Sequence, residues 1–224
     1  MRSPDGKPMS RSAASTDAAA RVLLAAIAWF GVLLQLWLSI RLAHANGKTA
    51  IDGIVVFLGY FTVLTNLFVA LVAMLPLLTA NSRIGRGFGG PLMRGCATTA
   101  ILTVGIGYHL LLRNIWNPQG LQWVADMVLH YLVPAATAAY WIGWPPRARL
   151  PAWAPLAWTL YPAGYAVYAL VRGEVLGAYP YPFIDVGQLG YGPVAVNLLA
   201  LLAVFVALGF AVRAVAHARI RARR

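Results

Sequence analysis

Charge is what this sequence has least of. Only 11% of its 224 residues are charged, six of them acidic, while 60% are hydrophobic, and the mean hydropathy is +0.69. That composition excludes a disordered chain and is too apolar for an ordinary soluble domain. Cysteine is nearly missing. Cys96 stands alone, so no intrachain disulfide is possible, and no Cys/His group has zinc-site spacing; no metal or cofactor is expected. Lysine is scarce, 2 against 16 arginines, and alanine is abundant, a codon signature of a GC-rich bacterial genome. No Gly-x-Ser-x-Gly elbow occurs, which closes the α/β-hydrolase route.

What is present is a series of apolar runs, each near the ~20 residues that cross a bilayer. They fall at about 22–43, 54–80, 96–112, 121–144, 152–171 and 191–212. The expected fold is all-α: a polytopic membrane protein, one bundle of six transmembrane helices spanning 22–212. A polar segment, 1–21, precedes it and is expected to be disordered, and a basic tail, 213–224, follows. The first run, with Ala43-His44-Ala45 after it, has the outline of a signal peptide. Its length exceeds the ~7–15 apolar residues of a signal core, which favours a retained span.

The net charge of +12 does not point to nucleic acid, because the arginines cluster in short segments beside apolar runs. Fourteen of the 18 Lys and Arg residues fall before the first run, in the second and fourth loops, and in the tail. That asymmetry puts both termini in the cytoplasm of a bacterial cytoplasmic membrane, with membrane lipids as the surroundings. The oligomeric state is not legible.

Against this background Leu121–Pro134 stands out, because Asp126 and His130 lie inside an apolar run, one helical turn apart. Ionisable groups in a span are costly and face a protein interior. A carboxylate one turn from an imidazole can orient the ring and stabilise its charged form; the plainer alternative is an ion pair locking two helices. Counting at 1.5 Å per residue from the outer ends puts His130 roughly 13 Å deep and Thr62 and Thr65 roughly 12 and 16 Å deep. Thr62, Thr65 and Asn66 can share one helix face. Asn197, His109, Tyr165 and Tyr168 fall in the same outer half, with Arg113, Arg172 and Asp185 at its mouth. One polar cavity open to the outer leaflet is the simplest arrangement. Pro76, Pro134 and Pro162 lie within runs, where they kink helices and free carbonyls. The Tyr179-Pro180-Tyr181-Pro182-Phe183 stretch suits a cap over the cavity.

Four stretches carry a resemblance: Tyr60 through Thr62 and Thr65 to Asn66, Asp126 through His130 to Pro134, Gly164-Tyr165, and Tyr181-Pro182-Phe183-Ile184-Asp185. In these the chain resembles bacterial six-span Pr6Pr membrane proteins, related to the animal androgen-induced and androgen-dependent integral-membrane hydrolases. The resemblance implies a threonine nucleophile and a histidine partner acting on a lipid ester such as a fatty acid ester of a hydroxy fatty acid. His130 matches the histidine. Thr65 keeps the family's Leu-Thr dipeptide and is favoured narrowly, whereas Thr62 fits if Asn66 matches the polar residue after the motif. Asp126 would orient His130, Asn66 or Asn197 would face the oxyanion, and Arg113 or Arg172 would hold a substrate carboxylate, with His109, Tyr165, Tyr181 and Asp185 lining the site. The alternative from another class is a non-enzymatic lipid-binding or transport protein using the same cavity.

Overall fold

The computed structural model describes residues 11–146 and 148–222, and no strand occurs among them. Four helices are long and apolar enough to cross a membrane: Ser15–Ala45 within α1 (Arg11–Ala45), α3 (Phe61–Leu78), Pro91–Leu112, and α11 (Tyr191–Arg221). Pro91–Leu112 comprises α5 (Pro91–Gly107) and a wider π turn, Tyr108–Leu112. The apolar core runs between α1, α3, α5 and the helix that follows, through Leu24, Ala28, Val69, Ala73, Ile101 and Val133.

The helix α1 reaches back into the segment expected to be disordered; residues 1–10 lie outside the described residues. The reason is a polar clasp at this end of the molecule. Asp17 pairs with Arg21 one turn on, at 3.2 Å, and accepts the Tyr140 hydroxyl at 2.8 Å. The Tyr140 ring lies under two guanidinium groups, Arg94 at 4.8 Å and Arg21 at 5.4 Å from its centroid. At the other terminus α11 runs on to Arg221, so most of the expected tail is helical. Arg213 and His217 reach the Leu150 carbonyl, and Arg219 reaches that of Ile142.

The second expected span, 54–80, is two helices. A capping box, with Thr49 and Asp52 each bonded to the other's backbone amide, starts α2 (Ala50–Leu58) before the apolar run begins. The chain then breaks at Gly59–Tyr60, where Tyr60 is extended, and restarts as α3. The short α4 (Arg83–Phe88) fills the loop before α5.

The fourth and fifth expected spans are helical but interrupted. In the fourth, α6 (Leu121–Met127) and α7 (Val133–Gly143) are joined by a π turn, Val128–Leu132. In the fifth, α8 (Ala154–Trp158) and α9 (Leu160–Leu176) meet at Thr159, four residues after which Ala163 donates back to it; Pro162 has no amide to offer Trp158. A 3₁₀ turn, Pro182–Ile184, and α10 (Val186–Leu189) then lead to α11.

Close approach is set by small residues. At Gly95 of α5 an added Cβ would run into the buried Trp158 ring. Gly95→Ala is therefore expected to lower thermal stability by about 1–3 kcal/mol through overpacking. Gly164→Ala, on a face with nothing within 4 Å, should be neutral or stabilising by up to ~1 kcal/mol. Melting of the two purified variants in detergent checks this; equal losses would refute the packing assignment.

The capping box yields a second expectation. The Thr49 hydroxyl and amide, both donated to Asp52, hold its carboxyl below the ordinary carboxylate range. A depressed folded-state value stabilises α2 above the ordinary range and loses that support as pH falls through it. Hydrogen exchange at Ala50–Gly53, corrected for intrinsic rates, should rise below about pH 4 in the native protein. In Thr49→Ala it should already be raised at pH 7, and an unchanged exchange rate in that variant would refute the assignment.

Candidate functional site

The two π turns lie side by side and carry the polar centre. In the second, the Val133 amide bonds the Val128 carbonyl five residues back. Its ordinary α-helical partner, the Leu129 carbonyl, is thereby left over. Pro134 has no amide, so the His130 carbonyl is left over as well. Asn66 takes up the first: its Nδ2 donates to Leu129 O at 3.2 Å and to Thr62 O at 2.8 Å. One buried amide therefore fastens the first turns of α3 to the backbone beneath His130. Gly105 of α5 closes the other side, where an added Cβ would lie 3.1 Å from the His130 carbonyl.

The imidazole of His130 is held at both nitrogens and on one face. Its Nδ1 lies 3.0 Å from the Asp126 main-chain carbonyl and 3.2 Å from Asp126 Oδ1. Both neighbours are acceptors, so in a neutral ring Nδ1 carries the hydrogen and Nε2 is left as the acceptor. The carbonyl is the aligned partner, since Oδ1 has no hydrogen bond among the described residues despite its short separation. The Asp126 carboxylate is 3% exposed and accepts the Tyr108 hydroxyl at 2.6 Å through Oδ2. The Tyr108 ring in turn stacks on His130, with centroids 3.8 Å apart and planes 16° apart.

Opposite Nε2 stands Thr62, with its hydroxyl oxygen at 3.3 Å. Because the second expected span breaks before Phe61, Thr62 occupies the first turn of α3 rather than mid-helix. First-turn amides have no partner inside their own helix and form its positive end. The Thr62 amide points at the Tyr181 hydroxyl, 3.4 Å away.

The narrow preference for Thr65 does not match this geometry. Thr65 is fully buried one turn deeper, and its hydroxyl pairs with that of Tyr161 on α9 at 3.1 Å. Asn66 spends both its N–H groups on backbone, so it is not an oxyanion donor, and Asn197 donates to the Phe183 carbonyl at 2.8 Å, supporting the 3₁₀ turn. His109 and Arg113 form an exposed chain, Arg113 to His109 at 3.1 Å and His109 to the Tyr131 hydroxyl at 3.2 Å, on the far side of the first π turn from the cavity. Arg172 caps α2, bonding the Val55 and Ala178 carbonyls at 3.2 Å each, and Tyr165 holds the Gly59 carbonyl at 2.9 Å. Asp185 caps α10 by accepting the Gln188 amide at 3.1 Å. Of the expected residues, then, Thr62, Asp126, His130 and Tyr181 meet, with Asn66 behind them.

These four residues face a cavity of about 770 Å³. It opens at the end of the molecule that carries the 46–49, 113–120 and 177–190 loops, and Phe57, Val63 and Leu129 form its floor. Gln35 and Gln122, bonded to each other at 2.8 Å, lie on its wall. A second cavity of about 370 Å³ lies between α5, α9 and α11 and shares Thr62, Tyr108, Leu112 and Tyr181 with the first.

Sequence reasoning missed Tyr108, Tyr161 and the α3 N-terminus. Nothing in the sequence sets Tyr108 and Tyr161 apart from the other tyrosines of the runs, and the Gly59–Tyr60 pair is the only sign of a helix restart. Among the described residues no three His, Cys, Asp or Glu side chains converge as a metal site would require. Comparison with known proteins found no matching family model, no matching curated protein and no matching solved structure.

Proposed function

We propose that the protein is an intramembrane lipid-ester hydrolase in which Thr62 is the nucleophile and His130 the base. One observation carries the reading: a hydroxyl at a helix N-terminus lies 3.3 Å from an imidazole nitrogen whose ring is fixed from behind, and both face a cavity. The resemblance to Pr6Pr proteins and their animal relatives supports the same chemistry.

In the proposed reaction Thr62 Oγ attacks the ester carbonyl carbon while its proton passes to His130 Nε2. The carbonyl oxygen becomes an oxyanion at the positive end of α3, in reach of first-turn amides. The bond to the leaving alcohol breaks, and His130 returns the proton to it. Water, deprotonated by His130, then attacks the acyl-threonine; the bond from the acyl carbon to Thr62 Oγ breaks, the acid leaves, and His130 passes the proton to Oγ to restore the hydroxyl. Asp126 and Tyr108 position the ring. Tyr181 lies where the substrate oxygen would displace its hydroxyl from the Thr62 amide.

The chain is proposed to cross the membrane six times with both termini in the cytoplasm. The interrupted helix Leu121–Gly143 is long enough, at roughly 34 Å. The arginine-rich clasp at Asp17, Arg21 and Arg94 lies at the end away from the cavity mouth, which suits a cytoplasmic inner face. The cavity then opens toward the outer leaflet of a bacterial cytoplasmic membrane. An alkaline phosphatase fused after Arg224 should be silent and one inserted at Asn117 active; the reverse result would overturn this orientation.

A fluorophosphonate probe should label the purified protein at Thr62. His130→Ala should lower labelling and ester turnover by about 10²–10⁴-fold and Thr62→Ala should abolish both, while Thr65→Ala keeps most of each. Full labelling of Thr62→Ala would sink the proposal.

Asp126→Asn separates positioning from base chemistry. The aligned acceptor for Nδ1–H is a main-chain carbonyl that the substitution leaves in place, so the ring keeps its tautomer. The expected loss in kcat is about 10–100-fold, with KM little changed, and smaller than that of His130→Ala. A loss as large as that of His130→Ala would show that the carboxylate itself sets the tautomer. The cavity's volume and open mouth also suit a protein that only binds or carries lipid; labelling without turnover of any ester would favour that reading.

A further inference from the structure

The helix α9 is poorly seated along its first half. Only Ala169, just past its midpoint, and Gly173 are buried in it; Gly173 lies under the Tyr179 ring and Ala169 packs with Tyr181 and Ile184. Its inner end is anchored next to Trp158. Between these anchors α9 presents Pro162, Ala163 and Ala166 to α5 and α11, and such short side chains cannot reach across. The result is the 370 Å³ slot, walled on the α11 side by Leu198, Leu202 and Phe205.

The slot has no charged residue and no amide side chain in its walls. Every hydroxyl that borders it is already engaged. Thr103 donates to the Thr99 carbonyl at 2.9 Å, Tyr165 to Gly59 O at 2.9 Å and Tyr108 to Asp126 at 2.6 Å. Thr62 faces His130, and the Tyr181 oxygen accepts the Thr62 amide. A polar ligand would lose its water there and gain no partner, whereas hydrocarbon loses nothing. The slot also reaches Thr62, one of the four residues it shares with the open cavity.

Resting on the hydrolase reading, we infer that the slot between α5, α9 and α11 is the acyl-chain site. It takes the unbranched hydrocarbon chain of the acyl group that is transferred to Thr62, and its depth sets chain-length preference. The leaving alcohol occupies the larger cavity, whose Gln35–Gln122 pair and open mouth tolerate polar groups.

The test compares 4-nitrophenyl acetate, octanoate and palmitate on the full-length protein in detergent. Ala166→Phe narrows the slot and should lower kcat/KM for palmitate by about tenfold or more, leaving acetate within about twofold. Leu202→Ala deepens it and should move the preference toward longer chains. Retained acetate hydrolysis shows that each variant is folded. Equal losses on all three esters, or no change on any, would overturn the slot assignment. If the native protein hydrolyses no ester, the hydrolase reading falls, and a fatty acid carrying a terminal diazirine decides the slot by itself. Crosslinks concentrated at Leu202 and Phe205 and competed by oleate support it. Crosslinks on the outward side chains Val196 and Val204, insensitive to oleate, would mean bulk bilayer tails only and would overturn it.

Discussion

A missing amide hydrogen at Pro134 is the constraint on which the polar centre depends. A helix passing through a proline leaves a carbonyl without a donor, and inside an apolar protein that deficit must be met by another group. Here the helix widens by one residue per turn just before the proline, which strands the Leu129 carbonyl as well. Asn66 fills that vacancy and in the same stroke grips the Thr62 carbonyl, so the start of α3 is pinned against the turn that carries His130. The 3.3 Å approach of Thr62 to His130 is thus a consequence of backbone repair. Widened turns of this kind recur at functional positions in helices for the same reason: they release backbone groups and re-aim side chains.

The opposite requirement holds at the break between α2 and α3. A helix end inside a protein exposes carbonyls with a partial negative charge, and they must be capped. Three side chains of α9 do this in succession, Tyr165 on Gly59, Tyr168 on Leu58 and Arg172 on Val55. The break that brings Thr62 to a helix N-terminus is therefore held open by a helix far away in sequence. Arg172 serves as scaffold in this arrangement, with its charge complementing the C-terminal end of α2. A guanidinium that caps a helix is not free to bind a carboxylate ligand, so Arg172 is not the basic clamp expected at the mouth of the cavity.

How much of this was legible follows from which interactions are local. Asp126 and His130 one turn apart, and Pro134 freeing carbonyls, are properties of a single segment and could be read directly. The apolar runs located the long helices, but their interruptions at Gly59–Tyr60, Val128–Leu132 and Thr159 depend on partners elsewhere. Depth arithmetic assumed one continuous helix from Ile54. It brought Thr62 and Thr65 to the level of His130 together but could not choose between them, because the choice is made by rotation about α3. Rotation is fixed by Tyr161 taking Thr65 and by Asn66 taking the Leu129 carbonyl, two contacts between residues far apart in the chain. Tyr108 was hidden for a different reason. Its role is a stack and a hydrogen bond on another helix's residues, and nothing in a lone tyrosine beside a histidine announces that.

The shape of the cavity floor bears on the choice between the proposed hydrolase and a carrier. Moving a substrate across a membrane requires that a site open to each side in turn, and such sites are built on helices whose packing has two arrangements. The floor is Phe57, Val63 and Leu129, buried in one cluster with Val32 behind them. Below that lies the main core, and at the far end the Asp17–Arg21–Tyr140–Arg94 clasp ties α1, α5 and α7 together. Opening a path that way would empty a close-packed core and strip buried guanidinium groups of their partners, each a loss of several kcal/mol. The molecule's loosely packed side is lateral, along α9, where the slot against α5 and α11 lies apart from both ends. A centre reached from one face and from the side, with a solid base, fits the proposed hydrolysis in place better than passage across the membrane.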